Sequence, residues 1–275
     1  MKTIFFGGSK YVIPILAVLK NKFELSLVIT SDKTSNDPVP AFCIKNKIEW
    51  TSPTKIDHVL IKKIKSINAE FAVLADFGFI IPEKLLNIFP KGILNIHPSL
   101  LPKYRGPTPV QTAIINGDRI TGVSLIKLDE KVDHGPIIAQ RKEKILENDT
   151  SENLYLKLFK CGATLLEENL ERYLDNEIKT TPQDDQEATF TEILTRDRGE
   201  IKLENPPNPE TLKRMVMAYY PWPGVWTTTE INNKMRIKFL PGNKVQVEGK
   251  KPVGYKDFTN GYSQGKEILK KLKLI

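Results

Sequence analysis

The sequence predicts an α/β protein in which a mostly parallel, doubly wound sheet is followed by a small β-barrel. Short apolar runs alternate with helix-like patterns through residues 3–96, which is typical of a parallel sheet with helices on both faces. Short alternating runs after residue 224 are typical of a small barrel. Ligands bind at the carboxyl ends of the strands in a doubly wound sheet, so we expect the functional residues there.

The individual elements follow from the apolar runs and their spacing. The first run, at residues 3–6, ends in Gly7-Gly8-Ser9, which we interpret as a tight strand-to-helix turn because the full dinucleotide-binding pattern is missing. A long amphipathic helix is predicted over residues 151–174, with Ser151 as its cap. Further strands are predicted at 25–29, 71–75, 92–96, 122–126, 136–140, 225–228, 235–239 and 244–247. Further helices are predicted at 12–19, 54–67, 83–88 and 209–219, and residues 266–275 form either a basic amphipathic helix or a frayed tail.

A change of composition divides the chain into two domains, in keeping with about 150 residues per domain. Asp184-Asp185-Gln186-Glu187 is polar and Pro206-Pro207-Asn208-Pro209 is stiff, as in linkers. We therefore predict a first domain over residues 1–180, a linker over 181–205 and a second domain over 206–275.

The overall composition is that of a folded globular protein. Hydrophobic residues make up 40% and charged residues 27% of the 275 residues, which excludes a disordered or fibrous chain. No apolar window approaches the ~18 residues of a membrane span, and the apolar run after Met1 is too short for a signal peptide, so we expect a cytoplasmic protein. Cys43 and Cys161 are too few for a disulfide framework and are expected to be buried thiols.

The net charge is concentrated in the last quarter of the chain. Residues 206–275 carry 13 basic and 5 acidic residues, a net charge of +8 that equals that of the whole protein. Such asymmetry is typical of a basic module that meets a polyanion. A solvated lysine-rich surface that binds nothing fits the count equally well.

Polar side chains at the end of the predicted strand over residues 92–96 are the first candidates for chemistry. Asn95 and His97 are two positions apart, so their side chains lie on the same face of a strand. Asparagine supplies an N–H donor and histidine titrates near neutrality, a pair suited to oxyanion stabilisation and proton transfer. A polar pair that only caps a turn gives the same pattern.

Asp133 is the second candidate, because it directly precedes a His134-Gly135 turn. A carboxylate beside an imidazole orients the ring and stabilises its charged form, but the spacing does not show whether Asp133 meets His97. A metal site made of His97, Asp133 and His134 is disfavoured because the last two are adjacent and no second ligand pair is present, so no metal is expected. We interpret His134 as a solvated turn residue.

The run from Leu94 to Gln140 resembles the N10-formyltetrahydrofolate-dependent formyltransferases. The matching motifs are Asn95…His97, Ser99-Leu100-Leu101-Pro102, Tyr104-Arg105-Gly106, Gly122-Val123 and Asp133…Gly135. The resemblance implies a Rossmann-like catalytic domain with Asn95, His97 and Asp133 as catalytic residues. It also implies 10-formyltetrahydrofolate as co-substrate, with no permanently bound cofactor. The implied folate pocket contains Ser99, Leu100, Leu101, Pro102, Phe77, Gly78 and Ile80.

Motifs in the last quarter resemble the branch of this family that formylates methionyl-tRNA. They are Tyr220 to Trp226 (YPWPGVW), Gly249 to Pro252 and Phe258 to Tyr262. The resemblance implies an OB-like domain that helps to bind initiator methionyl-tRNA. Trp222 and Trp226 can stack on bases, but the prolines beside Trp222 favour packing instead. The predicted phosphate contacts are Lys234, Arg236, Lys238, Lys250 and Lys251, and we expect a monomer because the basic module opposes self-association.

The sequence departs from the family pattern at two places, and two alternative functions remain compatible with it. The stretch from Ser31 to Pro40 is short and carries Lys33 against Asp32 and Asp37, which argues against its insertion into an acceptor stem. Asp76 stands where the family usually has a small or apolar residue. The alternatives are a sugar-nucleotide N-formyltransferase and an RNA-binding protein with an inactive formyltransferase domain.

Overall fold

The computed structural model describes residues 1–229 and 235–275 and contains two compact units. The first unit comprises Met1–Gly106, Ile120–Lys144 and Tyr155–Thr191, and the second comprises Pro107–Arg119, Ile145–Leu154 and Glu192–Ile275. This division differs from the linear one predicted at residues 1–180, 181–205 and 206–275. The short segments Pro107–Arg119 and Ile145–Leu154 belong to the second unit although they precede the predicted linker, and only their three-dimensional contacts show this.

The first unit is built on one mixed sheet. Its strands follow the order β3-β2-β1-β4-β5-β6-β7, parallel as far as β5 and antiparallel from β5 onward. This confirms the prediction of a mostly parallel sheet. The strands are β1 (Lys2–Gly7), β2 (Glu24–Ile29), β3 (Trp50–Thr51), β4 (Phe71–Ala75), β5 (Ile93–His97), β6 (Ile120–Lys127) and β7 (Ile137–Lys144).

Four of the six α-helices in the first two-thirds of the chain overlap predicted ones, whereas those at Pro38–Asn46 and Pro109–Asn116 were not predicted. The six helices are α1 (Ile13–Lys22), α2 (Pro38–Asn46), α3 (His58–Ile67), α4 (Glu83–Leu86), α5 (Pro109–Asn116) and α6 (Ser151–Leu174). Helix α3 begins later than predicted because the Asp57 carboxylate accepts the first N–H groups of the helix.

The N-terminus of α6 shows where the predicted cap is wrong. The backbone N–H of Asn153 donates to the hydroxyl oxygen of Thr150 at 3.3 Å, so Thr150 is the capping residue. The Ser151 hydroxyl instead donates to the carbonyl of Tyr220 at 2.6 Å. A cap is fixed by side-chain geometry, which two adjacent hydroxyl residues leave ambiguous in the sequence.

Two apolar clusters cover the two faces of the mixed sheet. One joins residues of α1 and α6 to Leu94 and Ile96 of β5. The other joins Leu60 and Ile64 of α3 to Ile93 of β5. Because side chains alternate along a strand, Asn95 and His97 point to the same face as Ile93. The strand thus carries polar groups only at its carboxyl end, on one face.

The second unit contains an antiparallel sheet in the order β11-β10-β9-β8. The three strands predicted after residue 224 are all present. Ile237, Phe239 and Val245 form part of the buried side of this sheet. Its elements are β8 (Val225–Thr229), β9 (Met235–Leu240), β10 (Lys244–Val247) and β11 (Val253–Gly254), with helices α7 (Pro209–Ala218), α8 (Tyr255–Gly261) and α9 (Gly265–Lys271).

The two cysteines differ in their surroundings. Cys43 is fully buried, as predicted, and burial raises the pKa of its thiol from 9.0 to about 11. Cys161, on α6, is only half-buried, so the expectation that both thiols are buried is wrong for this one. Within residues 1–229 and 235–275, no helix is both long enough and apolar enough to cross a membrane.

Candidate active site

The candidate site begins at the carboxyl end of β5. Asn95 and His97 are each 5% exposed, in a strand that is otherwise apolar. β5 lies between β4 and β6, so its backbone is fixed on both sides. A buried polar pair on such a strand requires partners, because an unpaired buried polar group costs about 1–3 kcal/mol.

Asp133 supplies that partner from the loop between β6 and β7. Its Oδ1 accepts a hydrogen bond from Nδ2 of Asn95 at 3.0 Å, and its Oδ2 lies 3.5 Å from Nδ1 of His97. The backbone N–H of Gly106 also donates to Oδ2, at 2.8 Å. The structure therefore brings together the three residues whose convergence could not be established from their spacing.

The surroundings of His97 define the hydrogens on its ring. Its Nε2 lies 2.9 Å from the carbonyl oxygen of Tyr104, and because a carbonyl only accepts, Nε2 carries a hydrogen. Its Nδ1 faces the carboxylate of Asp133. Both ring nitrogens thus face oxygen acceptors, so a hydrogen on either nitrogen has a partner.

The loop that carries Asp133 is fixed by a residue that the sequence analysis assigned to a linker. Nε2 of Gln183 donates to the carbonyl oxygens of Asp133 and Gly135, both at 2.8 Å. Oε1 of Gln183 accepts from Nε of Arg105 at 3.0 Å. No short-range pattern marks Gln183 in the sequence, since its partners lie 48 to 78 residues away.

His134 is not the solvated turn residue that was predicted. Its Nδ1 lies 2.6 Å from Oδ2 of Asp129 and its Nε2 lies 3.4 Å from Oδ2 of Asp185. Asp185 also faces the Arg105 guanidinium at 2.9 Å, and hydrogen bonding from that group lowers the pKa of the Asp185 carboxyl. The half-buried His134 is therefore held between two carboxylates. Among the residues that the structure describes, no group of three or more His, Cys, Asp or Glu is placed to hold a metal.

A cleft of about 590 Å³ borders the Asp133 loop. Ile93 contributes to its wall from the face of β5 that carries Asn95, and His134 contributes from the position after Asp133. The cleft combines apolar side chains with a charged rim. It is lined by Glu83, Leu86, Asn87, Phe89, Pro90, Gly92, Ile93, Lys127, Leu128, Asp129, Glu130, Lys131 and His134.

None of the seven residues predicted to form the folate pocket lines this cleft. Ser99 and Leu101 are buried, and the hydroxyl of Ser99 donates to the carbonyl of Lys103 at 2.6 Å. Their loop turns inward because the N–H of Leu101 donates to the hydroxyl of Ser124. Leu100 lies against Gly122, and Pro102 follows a cis peptide bond. Phe77, Gly78 and Ile80 lie in the loop after β4, where Ile80 is largely exposed.

Asp76 has a structural explanation at the end of β4. Its backbone lies in the left-handed region, with φ +50°, which aspartate tolerates better than most residues. Its carboxylate accepts from the Ser9 hydroxyl at 2.6 Å, and its carbonyl accepts from the N–H of Gly8 at 3.0 Å. The N–H of Ser9 in turn donates to Asp32, which also accepts from the N–H of Val39. Asp76 and Asp32 thus fasten the turn after β1 and the start of the short 31–40 segment.

The basic surface of the second unit is less uniform than predicted. Lys238, Lys250 and Lys251 are exposed, whereas the Arg236 guanidinium lies over the ring of Trp226, 4.5 Å from its centroid. Lys234 falls outside the described residues.

The two tryptophans beside this surface are in different environments. Trp222 is 55% exposed, so the predicted packing of this residue is wrong, whereas Trp226 is 8% exposed and packed. The prolines beside Trp222 stiffen the backbone without covering the ring.

Comparisons with known proteins agree on one family. Residues 13–170 match the family model described as formyl transferase. The chain is 35% identical to a methionyl-tRNA formyltransferase of Chloroflexus aggregans, over 82% of this chain and 76% of the relative. It is 32% identical to a methionyl-tRNA formyltransferase of Thermodesulfovibrio yellowstonii, over 94% of this chain and 95% of the relative.

Solved structures show the same fold at low sequence identity. A sugar N-formyltransferase from a Shewanella species matches with a TM-score of 0.69 and 19% identity, over 88% of this chain and 98% of that one. A 4-N formyltransferase from Francisella tularensis matches with a TM-score of 0.70 and 20% identity, over 87% of this chain and 97% of that one. The chain belongs to the formyl transferase family and, within it, to the methionyl-tRNA formyltransferases.

Proposed function

We propose that this protein transfers the formyl group of 10-formyltetrahydrofolate to the α-amine of initiator methionyl-tRNA. The observation that carries the proposal is the convergence of Asn95, His97 and Asp133 in a chain of this family. The reaction forms a C–N bond between the amine and the formyl carbon and breaks the bond from that carbon to N10. One proton moves from the attacking amine to N10.

Asn95 and His97 supply the hydrogen-bond donors for this step. An amide nitrogen carries two hydrogens, and the described contacts of Asn95 use one of them, on Asp133. His97 directs Nδ1 toward the same carboxylate at 3.5 Å, longer than a strong hydrogen bond. We propose that the second N–H of the Asn95 amide and the N–H at Nδ1 of His97, which Asp133 holds only at 3.5 Å, donate to the negative charge that builds on the formyl oxygen. One such donor is worth about 10²–10³ in rate.

Asp133 accepts the proton that the amine must lose. Its two oxygens accept N–H groups from Asn95 and Gly106, which fixes the orientation of the carboxylate. Proximity to His97 lets the carboxylate stabilise the charged ring while the proton passes toward N10. A positioned acid–base group contributes about 10²–10⁴ in rate.

We propose the 590 Å³ cleft as a site for the pterin ring system of the co-substrate. Its volume lies within the ~300–1,000 Å³ of small-molecule sites. Leu86, Phe89 and Leu128 offer apolar contact to a flat ring, and Asp129 and Glu130 offer acceptors for the amino groups of a pterin. The exposed Gly78 and Ile80 and the partly buried Phe77 stay candidates for the rest of the folate, whereas the buried Ser99 and Leu101 support the backbone.

We propose an OB-like, tRNA-binding role for the second unit. Its antiparallel sheet supports this role, as does the excess of eight positive charges in residues 206–275. The exposed Lys238, Lys250 and Lys251 are placed to contact phosphates. Arg236 stacks on Trp226, so we assign its guanidinium to packing within the second unit rather than to a phosphate contact. We also propose that the protein is a monomer, because this basic surface repels a second copy.

The test is a formylation assay with 10-formyltetrahydrofolate and two acceptors, charged initiator tRNA and an amino-sugar nucleotide. We expect formylmethionyl-tRNA in the first arm, no product in the second, and loss of the product in Asp133→Asn. Product on the amino sugar alone would mean that the protein transfers the formyl group to a sugar amine and not to methionyl-tRNA. Absence of product in both arms would contradict the proposal.

A further inference from the structure

The carbonyl groups on either side of His134 converge on one side-chain amide. The carbonyl oxygens of Asp133 and Gly135 both lie 2.8 Å from Nε2 of Gln183. An amide nitrogen has two hydrogens, so each carbonyl receives its own hydrogen bond. Two carbonyls that point to one atom fix the curvature of the loop between them. The same contacts maintain Asp133 in its left-handed conformation, with φ +50°.

Gln183 is itself held by a buried arginine. Nε of Arg105 donates to Oε1 of Gln183 at 3.0 Å, which sets the orientation of the amide and directs Nε2 toward the loop. Arg105 is buried and is fixed through its own backbone, since its N–H donates to Thr189 and its carbonyl accepts from Thr191, both at 2.8 Å. Asp185 pairs with the Arg105 guanidinium. Residues after β7 are therefore part of the support of the Asp133 loop.

We propose that Gln183 is a positioning residue for formyl transfer, which fixes the carboxylate of Asp133 opposite His97. This inference rests on the proposed function, because it takes the role of Asp133 from there. Without the amide, the loop loses two hydrogen bonds while Asn95 and Gly106 still contact the carboxylate. A displacement of about 1 Å at a catalytic group lowers turnover by up to ~10².

Two substitutions at Gln183 test this in the full-length enzyme. Gln183→Glu keeps the size and the contact with Arg105 but turns an oxygen toward the two carbonyls, and Gln183→Met removes the amide without adding charge. We expect kcat to fall by about 10- to 100-fold in both, with the KM of each substrate changed by less than about twofold. Asn169→Asp is the matched control, because its amide donates to a carbonyl on α6 at 2.8 Å. Its kcat should stay within about twofold.

A spectroscopic measurement separates positioning from a general loss of structure. The protein has three histidines, so the imidazole ¹⁵N signals of ¹⁵N-histidine-labelled protein can be assigned by substitution. We expect the signals of His97 to move in both Gln183 variants, while those of the exposed His58 stay in place. Asn169→Asp should leave all three unchanged.

The outcomes distinguish the two proposals. If Asp133→Asn keeps normal turnover, the proposed function of the site is contradicted. If Asp133→Asn is inactive but both Gln183 variants keep kcat within twofold of wild type, only the role of Gln183 is overturned. Reduced kcat with unmoved His97 signals likewise overturns it. Reduced kcat together with moved His97 signals and an unaffected control supports it.

Discussion

Nδ2 of Asn95 lies 3.0 Å from Oδ1 of Asp133, which joins the end of a buried strand to a loop 38 residues further along the chain. His97 reaches the other oxygen of the same carboxylate. The three side chains are therefore joined through one carboxylate, and the loss of any member removes a contact from its neighbour in a largely buried site.

Replacement of any one of Asn95, His97 or Asp133 by alanine should lower kcat by about 10² or more. The physical reason is the loss of an oxyanion donor or of the proton acceptor. Single-turnover formylation with saturating 10-formyltetrahydrofolate measures the effect, and circular dichroism checks that the fold is retained. A His97→Ala variant with near-normal turnover would show that the ring has another role.

Gly135→Ala should distort the catalytic loop. A Cβ at this position would lie 1.8 Å from the carbonyl oxygen of Lys127, a backbone atom that cannot move aside. We expect a loss of about 1–3 kcal/mol in the free energy of unfolding and at least about a tenfold loss of kcat. Gly261→Ala is the control, because its Cβ meets no atom within 4 Å. Equal behaviour of the two variants in urea denaturation and kinetics would refute the steric argument.

The thiol of Cys43 should resist alkylation in the folded protein. Burial raises its pKa to about 11, so at pH 8 only about 0.1% is thiolate, against about 10% for a pKa of 9.0. Because the unfolded thiol ionises first, the free energy of unfolding should also fall as the pH rises from 9 toward 11. Iodoacetamide labelling of a Cys161→Ser variant, with and without urea, measures the reactivity. Rapid labelling without urea would mean that the site opens readily.

The two tryptophans of the YPWPGVW motif should differ in their effect on stability. Trp226 is packed under Arg236, so Trp226→Ala should lower the free energy of unfolding by about 3 kcal/mol. Trp222 is more than half exposed, and Trp222→Ala should change it by less than about 0.5 kcal/mol. Urea denaturation followed by far-ultraviolet circular dichroism gives both values. A larger loss of unfolding free energy in Trp222→Ala than in Trp226→Ala would indicate that Trp222 is packed, as the sequence suggested.

Binding of tRNA should weaken steeply with salt, and Lys250 and Lys251 should account for part of the slope. Removing both by substitution with alanine should reduce the slope of log K against log[salt] by up to about 2, because each phosphate contact contributes about 0.9. Lys62→Ala combined with Lys65→Ala removes the same charge from the exposed side of α3 and serves as the control. The same slope change in both double variants would point to net charge rather than to contacts.

The sequence predicted the strands and helices well where a periodic apolar pattern was long. The helix over 151–174 and the strands that end at Ala75 and His97 are present within a few residues of their expected bounds. The capping hydroxyl of α6 was misassigned because Thr150 and Ser151 are chemically similar neighbours. Burial of Cys161 and packing of Trp222 were overestimated, since residue type gives only a tendency to be buried.

By itself, the sequence determined the alternation of strands and helices, the basic last quarter, and the placement of Asn95 and His97 on one strand face, because periodicity and charge are local properties. Only the tertiary structure decided that Asp133 meets them, that Gln183 holds the Asp133 loop, and that a cleft borders this loop. These contacts join residues 36 to 50 positions apart, and their formation depends on the packing of the sheet rather than on any spacing along the chain.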